Sequence, residues 1–399
     1  MSQPVASADL ARVVLAEVDL GAAGAVAELR RHIEEAVGLL PALPPADPAD
    51  PQDPRTLTCA WLLDLAATSR RGYFLALADW LLWCARHDRD PLRARRADLD
   101  QWKAGLTAQR RGKGNTITLV PPAANTVRKR LAALSSWLRY LQDNEAGTEP
   151  GTAAAGTARP VTNPAARAKR PPPPARSRYP ALGAEELAGF LAWLQARAQR
   201  LGSEAAWRDA AMFTLMFHTG LRTAAVLNAQ TGDLRYESDG TGRYLVLHYR
   251  RKGGATDWVP LTEQVVTLVQ RYLAVRAAGA GVAVEDLDGH LFVSTPHPHR
   301  PELTGGLPCR QNRVFDHFRV LARQAGLAAW QTLALHSTRR TAGTLALASG
   351  ATLAQVQDLL GHADPRTTRG YDDARHRLTT SPVHAIAAAL TRIGAGPPG

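Results

Sequence analysis

Cysteine is scarce in this chain of 399 residues, and its placement excludes two kinds of stabilised small domain. Only Cys59, Cys84 and Cys309 are present, and no two of them form a C-x-x-C pair. Three scattered thiols predict neither a disulfide framework nor a zinc site. They are typical of a protein that works in the reducing cytosol.

Long apolar runs are also missing. No stretch of about 18 residues, the length that a membrane-spanning helix needs, is free of Asp, Glu, Lys and Arg. The N-terminus has neither a basic start nor an extended apolar segment, so a secretory signal is not indicated. We therefore expect a cytoplasmic protein with no membrane partner, associated with the bacterial nucleoid if it binds DNA.

Acidic residues are in the minority, 36 against 48 basic ones, which gives a formal net charge of +12. Residues 1–55 carry 4 basic and 9 acidic groups, 56–144 carry 15 and 7, 145–178 carry 6 and 2, and 179–399 carry 23 and 18. Basic groups that neutralise phosphates release condensed counterions, so an excess concentrated in 56–178 indicates nucleic acid. A solvated basic surface explains the same excess, and charge alone does not separate the two.

Composition divides the chain into four parts. Residues 1–55 hold one amphipathic helix near 23–40 followed by a proline-rich run, and we expect a partly disordered arm. Residues 56–144 are predicted to form a helical domain. Residues 145–178 are rich in Gly, Ala, Thr, Pro and basic groups, which favours an extended linker. Residues 179–399 form the remaining domain with a C-terminal tail.

The helical period of 56–144 is clearest in one apolar stripe, whose members recur at steps of three and four: Val127, Leu131, Leu134, Leu138 and Leu141. Tryptophans in this part are interpreted as core residues, and residues 110–114 as a loop. The basic side chains on other faces are candidate DNA contacts: Arg70, Arg71, Arg128, Lys129, Arg130 and Arg139.

The domain 179–399 is predicted to be mainly α, of the α+β class. A helix begins near Ala184 and another covers residues 209–219. Residues 244–250 alternate and are rich in β-branched and aromatic side chains, residues 251–254 supply a turn, and residues 257–261 return. A small antiparallel sheet beside helices is therefore expected.

One pair in this domain fits phosphoryl chemistry. In-line attack on a phosphodiester puts extra negative charge on the phosphoryl oxygens, so the site needs fixed donors. Arginine suits this because its planar fork holds two oxygens and its charge does not titrate near neutral pH. In His336-Ser-Thr-Arg339 the spacing of three places both side chains on one helix face. Alone, the pattern is common by chance.

Order and spacing along the chain make the pattern specific. Thr219-Gly220-Leu221-Arg222 comes first, then Lys252-Gly253 with Val259-Pro260-Leu261, then His336 and Arg339, then Leu360-Gly361-His362, and Tyr371 nine residues later. In this order the boxes resemble those of the tyrosine recombinases, the phage integrase family. The helical region likewise resembles the core-binding domain that precedes the catalytic domain in integrases.

The resemblance implies a role for each matching residue. Tyr371 is the nucleophile that becomes joined to a 3′ phosphate, and Arg222 and Arg339 hold the non-bridging oxygens together with His362. Lys252 is the general acid for the leaving 5′ oxygen, and His336 assists proton transfer near the tyrosine. The phosphotyrosyl bond keeps the energy of the broken linkage, so neither ATP, a metal ion nor another cofactor is expected. Arg340, beside the second arginine, is a further candidate DNA contact.

Three positions depart from the family pattern. Ala225 stands three places after the first arginine, where an acidic residue is common, so Arg222 is expected to be held differently. The box that commonly reads H-x-L-R-H has Thr338 and Arg340 here, and Gly370 precedes Tyr371. None of these changes removes a group that carries the chemistry.

The resemblance implies a site-specific recombinase, or integrase, acting on double-stranded DNA and assembling as a tetramer on two sites, with host accessory or directionality factors as further partners. Two alternatives stay open at this stage. A type IB-like topoisomerase uses the same phosphotyrosine chemistry without exchanging partners, and an inactive, integrase-derived regulator would bind DNA only. The sequence gives no recombination site, direction of reaction or host context.

Overall fold

A computed structural model describes residues 25–47, 49–50, 52–111, 117–145, 160–172, 179–251, 254–295 and 305–361. The chain divides between residues 175 and 176 into two compact units. We call them the N-terminal unit and the C-terminal unit and describe each by itself.

The N-terminal unit is built from helices with one short hairpin. Its elements are α1 (Ala25–Gly38), α2 (Pro54–Asp64), α3 (Ala67–Arg86), α4 (Arg96–Ala104), β1 (Ala108–Arg111), β2 (Ile117–Val120) and α5 (Ala124–Glu145). Helix α2 begins where the sequence supplies a cap: the Asp53 carboxylate accepts from the Thr56 amide at 2.7 Å, and Pro54 occupies the first helical position.

The predicted apolar stripe of α5 is confirmed, since Val127, Leu131, Leu134, Leu138 and Leu141 are all buried. Trp80, Trp102 and Trp137 lie in the same core at 1% exposure or less. The Trp137 indole donates to the Thr58 hydroxyl at 2.9 Å, which satisfies its only polar atom. The tryptophans are therefore core residues, as expected.

The expectation that residues 1–55 form a separate arm is wrong for the segment that follows residue 24. Ile33, Val37 and Leu40 of the α1 region are each 1% exposed and belong to the core of the N-terminal unit. The Arg55 guanidinium donates to five backbone carbonyls between residues 37 and 44, from Val37 to Pro44. Arg55 thus joins the end of α1 to the start of α2. The proline content of this segment indicated a disordered arm and gave no sign of this contact.

The expected extended linker is also partly wrong, because residues 160–172 pack on the N-terminal unit. Val161 and Ala165 are buried in its core. The Thr162 amide donates to the Leu92 carbonyl at 2.8 Å, and the Asn163 side-chain amide donates to the Ser135 carbonyl at 3.0 Å. Two small apolar side chains and these bonds hold a segment whose composition indicates a linker.

Residues 108–111 and 117–120 correct a smaller expectation. They pair as antiparallel strands, with Ala108 opposite Val120 and Arg111 opposite Ile117. Arg110 and Arg111 therefore lie in a strand and not in the expected loop, and residues 112–114 lie outside the described residues.

The C-terminal unit is mainly helical with one small sheet. Its elements are α6 (Ala184–Leu201), α7 (Glu204–Thr219), α8 (Thr223–Asn228), β3 (Leu234–Ser238), β4 (Arg243–Arg250), β5 (Thr256–Pro260), α9 (Glu263–Ala280), α10 (Gln311–Gln324), α11 (Leu335–Ala348) and α12 (Leu353–Leu360). The α+β prediction is confirmed.

Helix α7 runs through the core of this unit and is buried on nearly all sides. Phe213 and Phe217 of α7 pack against Phe318 of α10, with ring centroids 5.1 and 6.3 Å away. Asp209 of the same helix is 0% exposed and lies against Arg208 and His317, at 2.9 and 2.7 Å. Burial alone would raise the pKa of Asp209, but the His317 hydrogen bond and the Arg208 charge hold it below its ordinary value.

The sheet has the order β3-β4-β5, antiparallel throughout. The predicted hairpin is confirmed, with Leu247 of β4 opposite Val259 of β5. Strand β3 was not predicted, because residues 234–238 carry mostly polar side chains and four of them are exposed. Leu247 also pairs with Leu234 of β3, so the buried face of β4 meets apolar residues on both sides.

Among the described helices of this unit, four end at a glycine in the left-handed region. Two of these glycines share a φ of +62°: Gly202 after α6 and Gly220 after α7. They differ in their surroundings. A Cβ built on Gly202 meets nothing within 4 Å, whereas one on Gly220 would lie 2.8 Å from Leu360 Cδ2 and 3.1 Å from Ala342 Cβ. Gly220 is therefore needed for close packing as well as for its backbone angle.

This pair yields a test of packing at Gly220. We expect Gly202→Ala to destabilise the C-terminal unit by about 1–2 kcal/mol through left-handed strain alone. Gly220→Ala should add about 1–3 kcal/mol, because Leu360 and Ala342 are buried and must move. Hydrogen exchange of amides in α7 and α11 measures both variants, and equal effects would contradict the packing argument.

Candidate active site

Arg222 lies two residues after Gly220, the glycine that packs closely against Leu360 and Ala342. Its backbone is extended at the start of α8, and its side chain is exposed. The guanidinium Nη2 donates to the Gly361 carbonyl at 3.2 Å. This bond joins the end of the first motif to the residue before His362.

Arg339 lies on α11 and is only 3% exposed. Its Nη1 donates to the Gly220 carbonyl at 2.8 Å, and its Nη2 donates to the Leu360 carbonyl. Gly220 and Leu360 each end a helix, so these carbonyls lack the next amide of a helical ladder. The arginine therefore supplies donors to two helix ends and brings them together.

His336 lies one turn before Arg339, as the spacing of three predicts. His336, Arg222 and Arg339 share a cavity of about 540 Å³, whose wall also includes Tyr179, Gln311, Asn312 and Phe315. The Tyr179 and His336 rings meet edge to face with centroids 5.9 Å apart. Three of the six predicted catalytic residues are thus brought together.

The surroundings of His336 favour its neutral form. Partial burial lowers the pKa of the His336 imidazole, because it removes water that would stabilise the charged form. The positive charges of Arg339, Arg340 and Arg222 lower the pKa further. A neutral imidazole has one ring nitrogen that accepts a proton and one that donates. This is the form that proton transfer from a phenol requires.

The other predicted catalytic residues, Lys252, His362 and Tyr371, lie outside the described residues. For Lys252 and His362 the structure describes the residue that precedes each in the chain, Arg251 and Gly361, whereas both neighbours of Tyr371 lie outside the described residues. Arg222 and Arg251 both lie beside Gly361.

Ala225 bears on how Arg222 is held. Its amide donates to the Arg222 carbonyl at 2.8 Å in the first turn of α8, and its methyl group offers no acceptor. Within the described residues, the Arg222 guanidinium bonds to a backbone carbonyl and to no carboxylate. The expectation that Arg222 is held by a group other than an acidic residue at 225 agrees with this geometry.

Sequence reasoning missed Arg251, which places a second guanidinium beside Gly361, in addition to that of Arg222. Its Nε and Cζ are each 3.7 Å from the position of a Cβ on Gly361. The only signal in the sequence was its place directly before Lys252. Basic residues are too common in the turns of this chain for that signal to be used.

The candidate DNA contacts of the N-terminal unit fall into two groups. Arg70 donates to the carbonyls of Leu62, Leu63 and Leu65, at 2.8, 3.2 and 2.9 Å. Arg130 pairs with Asp79 at 3.0 Å, and Arg128 donates to the Pro171 carbonyl at 2.9 Å. The remaining three are exposed: Arg71, Lys129 and Arg139.

The predicted DNA contact of Arg70 is replaced by a structural role, because its guanidinium donates to the carbonyls at the end of α2. Arg340 of the C-terminal unit is 8% exposed, which leaves little of its surface for a phosphate. For Arg71, Lys129 and Arg139, DNA contact stays a prediction.

Adjacent arginines allow the two roles to be separated. Arg70→Ala should destabilise the N-terminal unit by about 1.5–3 kcal/mol, since a charged donor is removed from carbonyls at a helix end. Arg71→Ala should leave stability within about 0.5 kcal/mol. It should also lower the slope of log affinity against log salt by about 0.9, the value of one phosphate contact. Urea unfolding and salt-dependent DNA binding measure these effects. Weaker DNA binding by Arg70→Ala without loss of stability would contradict the assignment.

Comparison with known proteins agrees with this geometry. Residues 184–377 match the Phage integrase family model. Tyrosine recombinase XerC of Rhodospirillum centenum is 34% identical over 181 residues, which cover 44% of this chain and 47% of that protein. XerC of Rhizobium meliloti is 28% identical over 277 residues, covering 68% of this chain and 72% of the relative.

Solved structures show the same fold. The XerH site-specific recombinase bound to difH in a pre-cleavage complex aligns with a TM-score of 0.52 and 15% identity, covering 96% of this chain and 98% of XerH. Its post-cleavage complex with palindromic difH gives a TM-score of 0.53 at 14% identity, covering 98% of both chains.

The fold is that of the DNA breaking-rejoining enzymes. Its C-terminal unit contains a cavity lined by Arg222 and Arg339. Within that class, residues 184–377 match the phage integrase family, and the chain is similar to tyrosine recombinase XerC and to the XerH site-specific recombinase. The chain spans about half the length of the first curated relatives it matches: 47% of XerC of Rhodospirillum centenum and 46% of XerC of Corynebacterium efficiens.

Two further properties concern the described residues alone. No helix among them is both long and apolar enough to cross a membrane. Nor do their His, Cys, Asp and Glu side chains form a group of three or more that could hold a metal ion.

Proposed function

We propose that this protein is a site-specific DNA recombinase that cuts and rejoins strands through a 3′-phosphotyrosine intermediate. The observation that carries the proposal is the convergence of Arg222, His336 and Arg339 on one cavity. These residues come from separate parts of the sequence, and they form the donor-rich surface that a pentacoordinate phosphate requires.

The described groups differ in what they contribute to this reaction. Arg339 donates hydrogen bonds to the Gly220 and Leu360 carbonyls, so its position is fixed before DNA binds. Arg222 is exposed, and among the described residues it makes one hydrogen bond, at 3.2 Å, which leaves most of its donors for non-bridging oxygens. One guanidinium is rigid and the other adapts, and the charge of both is permanent.

In the proposed reaction the Tyr371 oxygen attacks phosphorus and the bond to the 5′ oxygen breaks. The phenol proton passes to a base, with His336 assisting, because a phenol with an ordinary pKa near 10 is almost wholly neutral at pH 7. Lys252 gives a proton to the leaving oxygen, and His362 donates to the phosphoryl oxygens. The reverse attack by another 5′ hydroxyl restores the backbone without ATP.

Two other activities share parts of this chemistry. A type IB-like topoisomerase would use the same intermediate, and an inactive regulator would bind DNA without cleaving it. Similarity to XerC and XerH, both named as recombinases, supports recombination over these alternatives. The Arg222 and Arg339 geometry supports an active site, because a pure DNA-binding role does not need donors converging on one phosphate.

Covalent capture tests the proposal. A nicked duplex containing the protein's site, selected from the genomic DNA that flanks its gene, should yield an SDS-stable adduct on the 3′ phosphate. Tyr371→Phe should bind this duplex with unchanged affinity and form no adduct. Tyr244→Phe, which changes an exposed tyrosine of β4, serves as the matched control and should react like the parent protein. Undiminished adduct in Tyr371→Phe would refute the assignment of the nucleophile.

We further propose that the protein assembles as a tetramer around two DNA sites in the bacterial cytoplasm, at the nucleoid. Residues 381–390, which lie outside the described residues, have a short apolar helical pattern suited to docking in a groove of a neighbouring subunit. Deleting the residues after 379 should preserve binding to one site and abolish pairing of two. An unchanged tetramer on DNA, measured by native mass spectrometry, would contradict exchange of this segment.

A further inference from the structure

Arg251 lies in the tight turn that follows β4, one residue before Lys252. Its amide donates to the Ala255 carbonyl at 2.7 Å, and its own carbonyl accepts from the Gly254 amide at 3.0 Å. These bonds fix the backbone from which the side chain leaves. The guanidinium is therefore attached to a well-defined end of the hairpin.

Asp257 holds one side of this guanidinium. Its carboxylate accepts from Nε and Nη2 of Arg251, and the same oxygen accepts from the Tyr249 hydroxyl at 2.8 Å. Tyr249 and Asp257 are opposite each other in the β4–β5 ladder. Burial would raise the pKa of Asp257, but the bonds from Tyr249 and Arg251 outweigh it and keep the carboxyl group charged near neutral pH.

The Arg251 guanidinium also lies close to Gly361. Arg251 Cζ and Arg222 Nη1 lie 3.7 and 3.9 Å from the position of a Cβ on this residue. Since Gly361 has no side chain, both guanidinium groups lie against its backbone, around one point. Gly361 also receives the Arg222 hydrogen bond and is followed directly by His362.

Charge at this point is unbalanced. Arg251 shares Asp257 with Tyr249, and Arg222 bonds to a carbonyl, so the two like charges have one carboxylate between them among the described residues. Both side chains are exposed, with 41% of the Arg251 side chain accessible. A phosphate placed here would relieve the repulsion and could accept from both groups at once.

We propose that Arg251 is a third phosphate-binding arginine of the active site, and that Asp257 is the residue that positions it. Asp257 takes Nε and Nη2, which leaves Nη1 to donate to a non-bridging oxygen of the scissile phosphate. This assignment depends on the DNA cleavage proposed above. It also gives the hairpin a function besides carrying Lys252, because Arg251 contributes a positive charge to the site.

The test uses the full-length protein and the nicked duplex, made in two forms. In one form the scissile phosphate is native, and in the other it is a methylphosphonate, in which a neutral methyl group replaces a charged oxygen. We expect Arg251→Ala to slow adduct formation on native DNA by about 10- to 100-fold, as for loss of one transition-state donor. On the methylphosphonate the penalty should fall to less than about threefold, because the partner of Arg251 has been removed.

The control removes the same charge from the far end of β4. Arg243 is exposed there, roughly 26 Å from Arg251 at the rise of an extended strand. Arg243→Ala should react at the parent rate on both duplexes. Arg251→Lys keeps the charge but loses the fork that holds Asp257, so its rate on native DNA should lie between those of the parent and Arg251→Ala.

Asp257→Asn separates positioning from binding. This variant retains the Arg251 charge, so the slope of log affinity against log salt should stay at the parent value, whereas Arg251→Ala should lower it by about 0.9. The cleavage rate of Asp257→Asn should nevertheless fall, because the guanidinium is no longer held. A purely structural ion pair would instead give both variants the parent slope.

Each outcome decides a different question. Equal loss of rate by Arg251→Ala on both duplexes overturns the phosphate contact and leaves Arg251 a structural residue. Recovery on a third duplex, whose single methylphosphonate stands at a neighbouring phosphate, together with no recovery on the scissile methylphosphonate, overturns the assignment to the scissile position. Absence of adduct with the parent protein refutes the proposed function itself, and the role of Arg251 with it.

Discussion

The active site depends on one buried arginine that bonds to the ends of two helices. Arg339 of α11 donates to the carbonyls of Gly220 and Leu360, which lie 119 and 21 residues away in sequence. A buried guanidinium is stable only when its donors are bonded, so these helix ends cannot separate without leaving a charge unpaired. The groups that follow them in the chain, Arg222 and Gly361, are placed by the same constraint. Close packing at Gly220, where a Cβ would lie 2.8 Å from Leu360, reinforces it.

Arginine has the same structural use elsewhere in the molecule. Arg55 and Arg70 of the N-terminal unit donate to carbonyls at helix ends, and Arg276 of α9 donates to the carbonyls of Asp288 and His290. Part of the formal charge of +12 is therefore committed to holding the backbone. A count of charges along the sequence includes these structural arginines. The basic excess can therefore indicate a polyanion partner, but it does not identify which basic residues contact that partner. The exposed Arg71, Lys129 and Arg139 are the members of the predicted set that keep their donors available.

Features governed by local periodicity were predictable from the sequence. The buried stripe of α5 follows from apolar steps of three and four, and the β4–β5 hairpin follows from alternation around a glycine turn. The side chains of His336 and Arg339 share a cavity because three residues make about one helical turn. Features governed by distant partners were missed. Helix α1 and residues 160–172 look like an arm and a linker until their apolar residues meet the core of the N-terminal unit. Arg251 looks like any basic turn residue until Gly361 is placed beside it.

The fold constrains the two motif arginines differently, because Arg339 is buried and bonded to two helix ends whereas Arg222 is exposed. A descendant that lost DNA cleavage would still need Arg339, since removing it leaves two helix ends without donors. The presence of Arg339 in a relative would therefore not by itself distinguish an active enzyme from an inactive descendant. Arg222 makes a single bond from an exposed position, so the fold tolerates its loss. In a relative that no longer exchanges strands, we therefore expect substitutions at the position of Arg222 before substitutions at that of Arg339.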